Sequence, residues 1–597
     1  MDEAEVRSGQ ANFSAFLRGV AHTASQISNH AGIVLFSRAE SIRALIAIFT
    51  ARKISYAHYE LLPFTQTQAE EYLDKRISSI YARQGQDLIH HRHSAPYKKV
   101  RDQLLAMLAS AIDRNNTQIW EASEVREFLG YAPVLDVASE FLAVDNFAAL
   151  SRSLSGDEGE ESRGLNHWNL VARVIDQLLS REQTKFADQF TETAEYSHLK
   201  NGNFRAILYT PEEQCSRLLD YVENLQLDLD IPAALPEKIR DTYEAAANTQ
   251  LANHPFLRGE GWFNVIFRDY VTARALISPI TSARSSSAIR KNLLSSNWKH
   301  SPMFGYFLFS LSTRDSGEMA SCHSEEIGAL YESFKSMCES QDELNISVGR
   351  EKDRLVASFA VLRMADSKSM IGPLRFRCHP SSLSVVFPRE LRNANIWQVP
   401  EVILGGDQGS FKFGPDVFMS CTDLLVVARE LQVYVTDQES PVVIDANTLT
   451  SENTKVQAER NKLFINCREL AYPWSKYSTD VNLKLMATRA REAYALYLEL
   501  RRIVLRFKDA KRGEGAVYEP LMDNLVISGN WRARQVLNYL EEVGCVERRN
   551  RMYLLKFAEF SKWNISRSQL RDLEFTDASA AVAEELVSYV ERSEKRP

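Results

Sequence analysis

The first chemistry-bearing residues of the chain are an adjacent carboxylate pair, Asp2-Glu3. Neighbouring carboxylates suit hydrolysis assisted by a divalent cation: one holds Mg²⁺ and the other polarises the attacking water, provided a buried strand fixes both. The sequence places no such strand in front of them. The expectation is therefore that the pair is half of a site whose other half lies outside residues 1–597. Phosphate binding also needs free backbone N–H groups, a Lys and a hydroxyl, as Gly-x4-Gly-Lys-Ser/Thr supplies them. That string does not occur. The nearest glycine cluster, Gly405-Gly406-Asp407-Gln408-Gly409-Ser410-Phe411-Lys412, lacks the Gly-Lys pair and reads as a hairpin turn. Gly259-Glu260-Gly261 reads as a loop between helical segments.

Other constellations offer less. Adjacent histidines point apart on a helix and no Cys or carboxylate stands four residues on, so His90, His91 and His93 read as solvated surface. Cys322-His323 and Cys378-His379 are sequence neighbours, the wrong geometry for a nucleophile and its base, and no third partner can be named. Cys215, Cys322, Cys338, Cys378, Cys421, Cys467 and Cys545 lie at wide, irregular spacings without Cys-x-x-Cys. Buried free thiols are expected.

Length and composition bound the class. Single cores stop growing at about 250–300 residues, so a chain of 597 residues should hold several domains. Its 45% hydrophobic and 25% charged residues are those of a globular protein. A net charge of −7 argues against wholesale coating of nucleic acid and leaves room for a local basic patch. With no run of 18 apolar residues and no basic-then-apolar leader, a cytoplasmic location without a membrane partner is expected.

The elements that must position these groups follow from periodicity. Phe13, Phe16, Leu17, Val20 and Ala21 repeat at helical spacing. Residues 32–36 read as a short buried strand ending at Ser37-Arg38-Ala39-Glu40, and residues 41–50 as a helix. Thr65 and Gln68 form a capping box ahead of the next helix. Residues 153–164 are an acidic, glycine-bearing linker. Helices follow to about residue 300, with Leu170, Val171, Val174, Ile175, Leu178, Leu179 and Phe186 on one stripe and a helix start at Thr210-Pro211. Residues 282–296 are serine-rich and read as a loop. From residue 345 to 435, short Val/Phe/Leu/Ile runs recur about every ten residues, which suggests a sandwich or an irregular solenoid. The fold class is multidomain, mainly α with a β-rich domain.

Several of these pieces, taken in order, resemble the C-terminal half of a NACHT-type STAND NTPase core. They are Asp2-Glu3, then Leu35-Phe36-Ser37-Arg38-Ala39-Glu40, then Glu60-Leu61-Leu62-Pro63-Phe64-Thr65 with Gln68, Tyr72 and Leu73. Phe128-Leu129-Gly130-Tyr131-Ala132-Pro133-Val134-Leu135 is similar to the family's Gly/Pro-Leu element beside the nucleotide, and Phe267, Tyr270 and Ala273 match its F-x-x-Y-x-x-A helix. The resemblance implies that Asp2 holds Mg²⁺, Glu3 orients water, Arg38 senses the γ-phosphate, and Pro133 shapes a helix start or touches adenine. It implies ATP and Mg²⁺ in the intact architecture and none bound by this chain alone, because the phosphate loop is missing. The implied layout is the C-terminal half of a P-loop core over 1–60, a helical lid over 61–152, a helical domain over 165–300, a β-rich domain over 341–440 and a winged-helix-like domain over 481–575.

The last of these rests on its own residues. A long apolar-periodic helix over residues 481–507 is followed by a loop over 508–515. Asn530-Trp531-Arg532 opens a helix carrying Val536, Leu537, Leu540 and Val543, closed by Gly544, and two alternating runs then flank Arg548-Arg549-Asn550-Arg551. This order resembles a bacterial winged helix. Arg532, Arg534, Arg548, Arg549 and Arg551 could contact DNA phosphates, although Glu541, Glu542 and Glu547 would repel them; protein–protein packing is the other use. Two functions are thus expected: the C-terminal portion of a STAND-type ATPase switch in signalling, stress sensing or phage defence, or a non-enzymatic helical scaffold whose winged helix binds DNA or a partner protein. The partners are the missing N-terminal NTPase segment and a protein, with DNA and self-association as alternatives.

Overall fold

Local capping chemistry starts the helices where the sequence places them. In the computed structural model the Thr65 N–H donates to Gln68 Oε1 at 2.9 Å while the Gln68 N–H donates to Thr65 Oγ1 at 3.4 Å, so two otherwise orphaned donors are satisfied at once. Thr210 Oγ1 accepts from the Glu213 N–H ahead of Pro211, and Asn530 Oδ1 accepts from the Ala533 N–H. The structure describes residues 15–16, 18–24, 26, 34–35, 46–83, 95–112, 120, 122–143, 160–192, 205–229, 231–232, 235–279, 281–295, 297–316, 319–338, 342–351, 354–362, 370–380, 383–406, 409–436, 439, 441–451, 453–459, 462–478, 488–510, 514–527, 530–571 and 577–594. Two compact units divide it: residues 1–289 with 306–310, and residues 290–305 with 311–597.

The first unit is helical. Its main helices are α1 (Gln66–Arg83), α2 (Ala95–Ile112), α3 (Ser123–Leu129), α4 (Ala132–Leu142), α5 (Glu160–Glu192), α6 (Pro211–Glu223), α7 (Glu237–Ala252) and α8 (Val265–Ile277). Strands β1 (Leu257–Arg258) and β2 (Gly261–Trp262) form a small antiparallel hairpin before α8. The α5 stripe is buried as its spacing requires: Val171, Val174, Ile175 and Leu179 are fully enclosed. Three expectations need correction here. Val34 is 76% exposed and neither Val34 nor Leu35 lies in a strand, so the buried strand over 32–36 is absent at its described residues. The acidic linker ends earlier than its composition implies, because α5 is helical from Glu160. The serine-rich stretch is a helix, α9 (Ala283–Leu293). Ser282 Oγ accepts from the Ser285 N–H at its start, and Ile289 is buried, so the serines cap and pack where composition suggested a loop.

The second unit carries the β structure. Strands β3 (Ala320–Cys322), β4 (Glu343–Glu351), β5 (Arg354–Leu362) and β6 (Met370–Cys378) form one end of a large sheet, with α10 (Ile327–Lys335) between β3 and β4. Beyond it the chain winds in parallel circuits: β7 (Ser384–Phe387), β8 (Glu390–Leu391), β9 (Ala394–Leu404), β10 (Ser410–Phe413), β11 (Val417–Val426), β12 (Glu430–Val433), β13 (Val442–Ser451), β14 (Lys455–Gln457) and β15 (Leu463–Cys467). Strands β9, β11, β13 and β15 stack on one side, with a one-residue register shift between β9 and β11 after Met419, and β8, β10, β12 and β14 stack on another, all parallel. This is a β-solenoid-like region, the second of the two architectures compatible with the strand spacing, and its strands continue past residue 440. Ile396, Met419, Ile444 and Ile465 form one inward row, each fully buried, because circuits can enclose apolar side chains only by stacking. Trp474 closes the far end: it is 2% exposed, its Nε1 donates to Ser451 Oγ at 2.8 Å, and Ser478 bridges to Ile465.

At its described residues, Gly405, Gly406 and 409–412, the glycine-rich segment is therefore a solenoid corner. A hairpin is excluded because β9 and β10 belong to different sheets; period-2 alternation gives no sign of which strand is the partner. Gly405 sits at φ +101°, and a Cβ there would meet the Ala428 N at 2.6 Å on the next circuit.

The C-terminal part of this unit comprises α11 (Thr488–Arg506), β16 (Lys508–Ala510), β17 (Glu514–Tyr518), α12 (Trp531–Glu542), β18 (Val546–Arg549), β19 (Met552–Lys556) and α13 (Asp577–Glu594). The expected loop over 508–515 is an antiparallel β16–β17 hairpin, with Lys508 opposite Ala516 and Ala510 opposite Glu514. Leu496, Leu500, Val504, Val536, Leu540, Leu555 and Leu586 share one core, which extends through α13 beyond residue 575. No helix among the described residues is long and apolar enough to cross a membrane.

The corner makes a direct prediction. Gly405→Ala combines a disfavoured positive φ with a backbone clash, so chemical denaturation should show a loss of roughly 2–5 kcal/mol. A change under about 0.5 kcal/mol would remove the stacking role given to this residue.

Candidate functional site

Asp2, Glu3 and Arg38 lie outside the described residues, as do His90, His91 and His93. What the structure places is the helical part of the motif set. The Phe64 N–H donates to the Gly130 carbonyl at 2.9 Å. A Cβ on Gly130 would lie 2.5 Å from the Arg126 carbonyl oxygen and 2.6 Å from that of Phe64, so only glycine permits this backbone contact. Pro133 falls in the first turn of α4, where its missing N–H costs nothing, and it is half-buried.

Side chains extend the contact. The Tyr72 hydroxyl on α1 donates to Asp136 Oδ1 on α4 at 2.7 Å, and the same carboxylate pairs with Arg76 at 2.9 Å and with Arg181 of α5 at 3.1 Å. Burial, then the hydrogen bond to Asp136, pushes the Tyr72 phenol up to about 12. Tyr131 stacks on Phe263 with centroids 4.2 Å apart and donates to the Pro255 carbonyl at 2.9 Å. Phe128 packs on Phe267 at 5.4 Å. The segments around residues 64–73, 128–136 and 263–267 thus meet in one body. The Asp136 cluster carried no sequence signal, because its partners are dispersed and each alone is an ordinary surface charge.

The five arginines of the C-terminal module separate on inspection. Arg532 lies 5.5 Å from the Trp397 ring of β9 and 4.9 Å from that of Trp531, a double cation–π contact inside the fold. It also faces half-buried Asp445, whose carboxyl is raised chiefly by desolvation. Arg548 pairs with Glu519 and lies 5.9 Å from the Tyr553 ring. Arg534 is exposed and shares a groove with Asp523 and Glu541. Burial raises both of those carboxyls, and the Tyr553 hydroxyl donates to Asp523 at 2.8 Å. Arg549 and Arg551 are exposed around a two-residue turn in which Asn550 and Arg551 have φ of 51° and 59°, as a type I′ hairpin requires. Of the five, Arg532 and Arg548 have partners within the module and the β region, and Arg548 stays exposed beside Glu519. The same module is tied to the β region by Arg506, which reaches Asp416 at 3.0 Å and Asn345 at 2.9 Å, and by Lys508 to Glu343 at 2.7 Å.

All seven cysteines are free thiols; five are buried, while Cys338 and Cys467 are part-exposed. Among the described residues no group of three or more His, Cys, Asp or Glu could hold a metal ion. No protein-family model, curated protein or solved structure matches the chain.

Arg532→Ala should cost about 0.5–2 kcal/mol and increase hydrogen exchange in α12. The double variant Arg549→Ala, Arg551→Ala should stay within about 0.5 kcal/mol of the parent. Equal losses in the two proteins would contradict this division of roles.

Proposed function

We propose that residues 1–597 are the C-terminal portion of a STAND-type nucleotide switch acting in signalling, stress sensing or phage defence. The observation that supports this reading best is the Phe64–Gly130 contact, which joins the two lid-like motifs backbone to backbone. A lid converts nucleotide state into motion only if its pieces move as one body, and the Tyr72–Asp136 bond and the Tyr131–Phe263 stack add to that rigidity. In this reading Asp2 holds Mg²⁺, Glu3 orients water and Arg38 senses the γ-phosphate, while ATP supplies the phosphoanhydride whose loss resets the lid. The phosphate loop must come from outside this sequence, upstream or on another chain.

Calorimetry with ATP and Mg²⁺ tests both parts. Residues 1–597 alone should show no saturable binding. The same chain supplied with its phosphate-loop segment should bind in the micromolar range and lose at least tenfold in affinity on Arg38→Ala. Micromolar binding by the chain alone would overturn the split site. No binding after the segment is supplied would overturn the switch.

A second reading has its own support. The order of α12, β18 and β19 is winged-helix-like, and the exposed hairpin-tip arginines suit a scaffold that docks a partner protein or DNA. With Arg532 held against two tryptophan rings, Arg548 already paired with Glu519 and two carboxylates in the groove, a protein is the better-matched partner. Fluorescence anisotropy with duplex DNA should therefore give only weak binding that vanishes by about 0.2 M salt. Sequence-dependent binding that survives such salt would favour DNA.

A further inference from the structure

We propose that Cys322 and Cys378 form a peroxide-sensitive thiol–disulfide couple that staples the edge of the large sheet. Their Sγ atoms lie 3.9 Å apart, on parallel strands β3 and β6 that set the two residues directly opposite one another. Adjacent strands run about 4.8 Å apart, inside the Cα separation of roughly 4.4–6.8 Å that a disulfide spans. Closing the bond therefore asks for side-chain rotation and leaves the strands in place. The two strand ends are held in alignment: the His323 and His379 rings stack with centroids 5.1 Å apart, and the His379 N–H donates to the Cys322 carbonyl at 2.8 Å.

Both thiols are buried, so access needs an opening. Strand β3 supplies it. It is three residues long, stands at the end of the sheet order, and has β6 as its one strand partner among the described residues. Such an edge opens locally while the ladder beyond it stays closed. The chemistry then balances with a hydroperoxide as oxidant. In the opened state one thiol loses its proton to water and the thiolate attacks the O–O bond, giving a sulfenic acid and a hydroxide that takes up that proton as water. The second sulfur displaces the sulfenic oxygen, which leaves as water, and the S–S bond forms. Two thiols and one hydrogen peroxide become one disulfide and two waters, with two electrons passing to the peroxide. The product ties β3 to β6 and suppresses the opening that admitted the oxidant.

The test uses the full chain and hydrogen peroxide at low excess. Peptide mapping without reductant should find a 322–378 link, intact mass should fall by two hydrogens, and dithiothreitol should restore both thiols. Amide exchange in β3 should slow in the oxidised protein. Cys378→Ser should instead accumulate a dimedone-reactive sulfenic acid at Cys322. If that variant does not fold, the map of the parent protein still decides. Recovery of both thiols as free after treatment, or a link joining other cysteines, would overturn the couple.

Discussion

Stacking of parallel circuits is the constraint on which the second unit rests. Each circuit between β7 and β15 buries its inward side chains only against the circuits before and after it. Register is therefore strongly specified at this row: a one-residue slip there would turn Ile396, Met419, Ile444 and Ile465 from the interior to the outside, and the single shift between β9 and β11 falls after Met419. The same register aligns Phe418 with Val443 on the opposite face. Phe418, Val443 and Trp397 are buried nonetheless. That face is a platform, and Arg532, Arg506 and Lys508 are among the groups of the C-terminal module that reach the β region.

The first unit is held by a different device, a buried polar network. Glu213 on α6 accepts from Arg217 at 2.8 Å and from the Tyr243 hydroxyl at 2.6 Å, and that hydroxyl accepts from the Tyr209 N–H at 2.8 Å. Gln214 spans the Leu179 and Tyr209 carbonyls and meets His254 at 3.1 Å. Burial outweighs Arg217 and holds the Glu213 carboxyl above its usual range. Such a network specifies one packing of α5, α6 and α7 more strongly than apolar contacts would, because a shifted helix would leave these groups unpaired.

What was legible in the sequence follows from how local its cause is. Caps at Thr65, Thr210 and Asn530 need only the next three residues, so those helix starts could be read directly. The solenoid could not be separated from a sandwich, since alternation looks the same whether the partner strand lies across a hairpin or one circuit away. Composition misled at Ser282, where serine caps and packs a helix. At the candidate site, the family resemblance singled out Pro133 and the Phe64 and Gly130 segments, and nothing in the sequence singled out Asp136 or Trp397. Their importance comes from long-range partners, Tyr72 and Arg532, that no spacing rule connects.

Trp474 and the turn it anchors have a meaning beyond local packing. A stack of parallel circuits presents at its last strand a row of backbone donors and acceptors, a template onto which another such stack could grow end to end. The plug formed by Trp474, Tyr477 and the Ser478 bridge to Ile465 occupies that position. The last circuit is thus covered at Ile465 by the chain that follows it, and a periodic architecture acquires an aperiodic end.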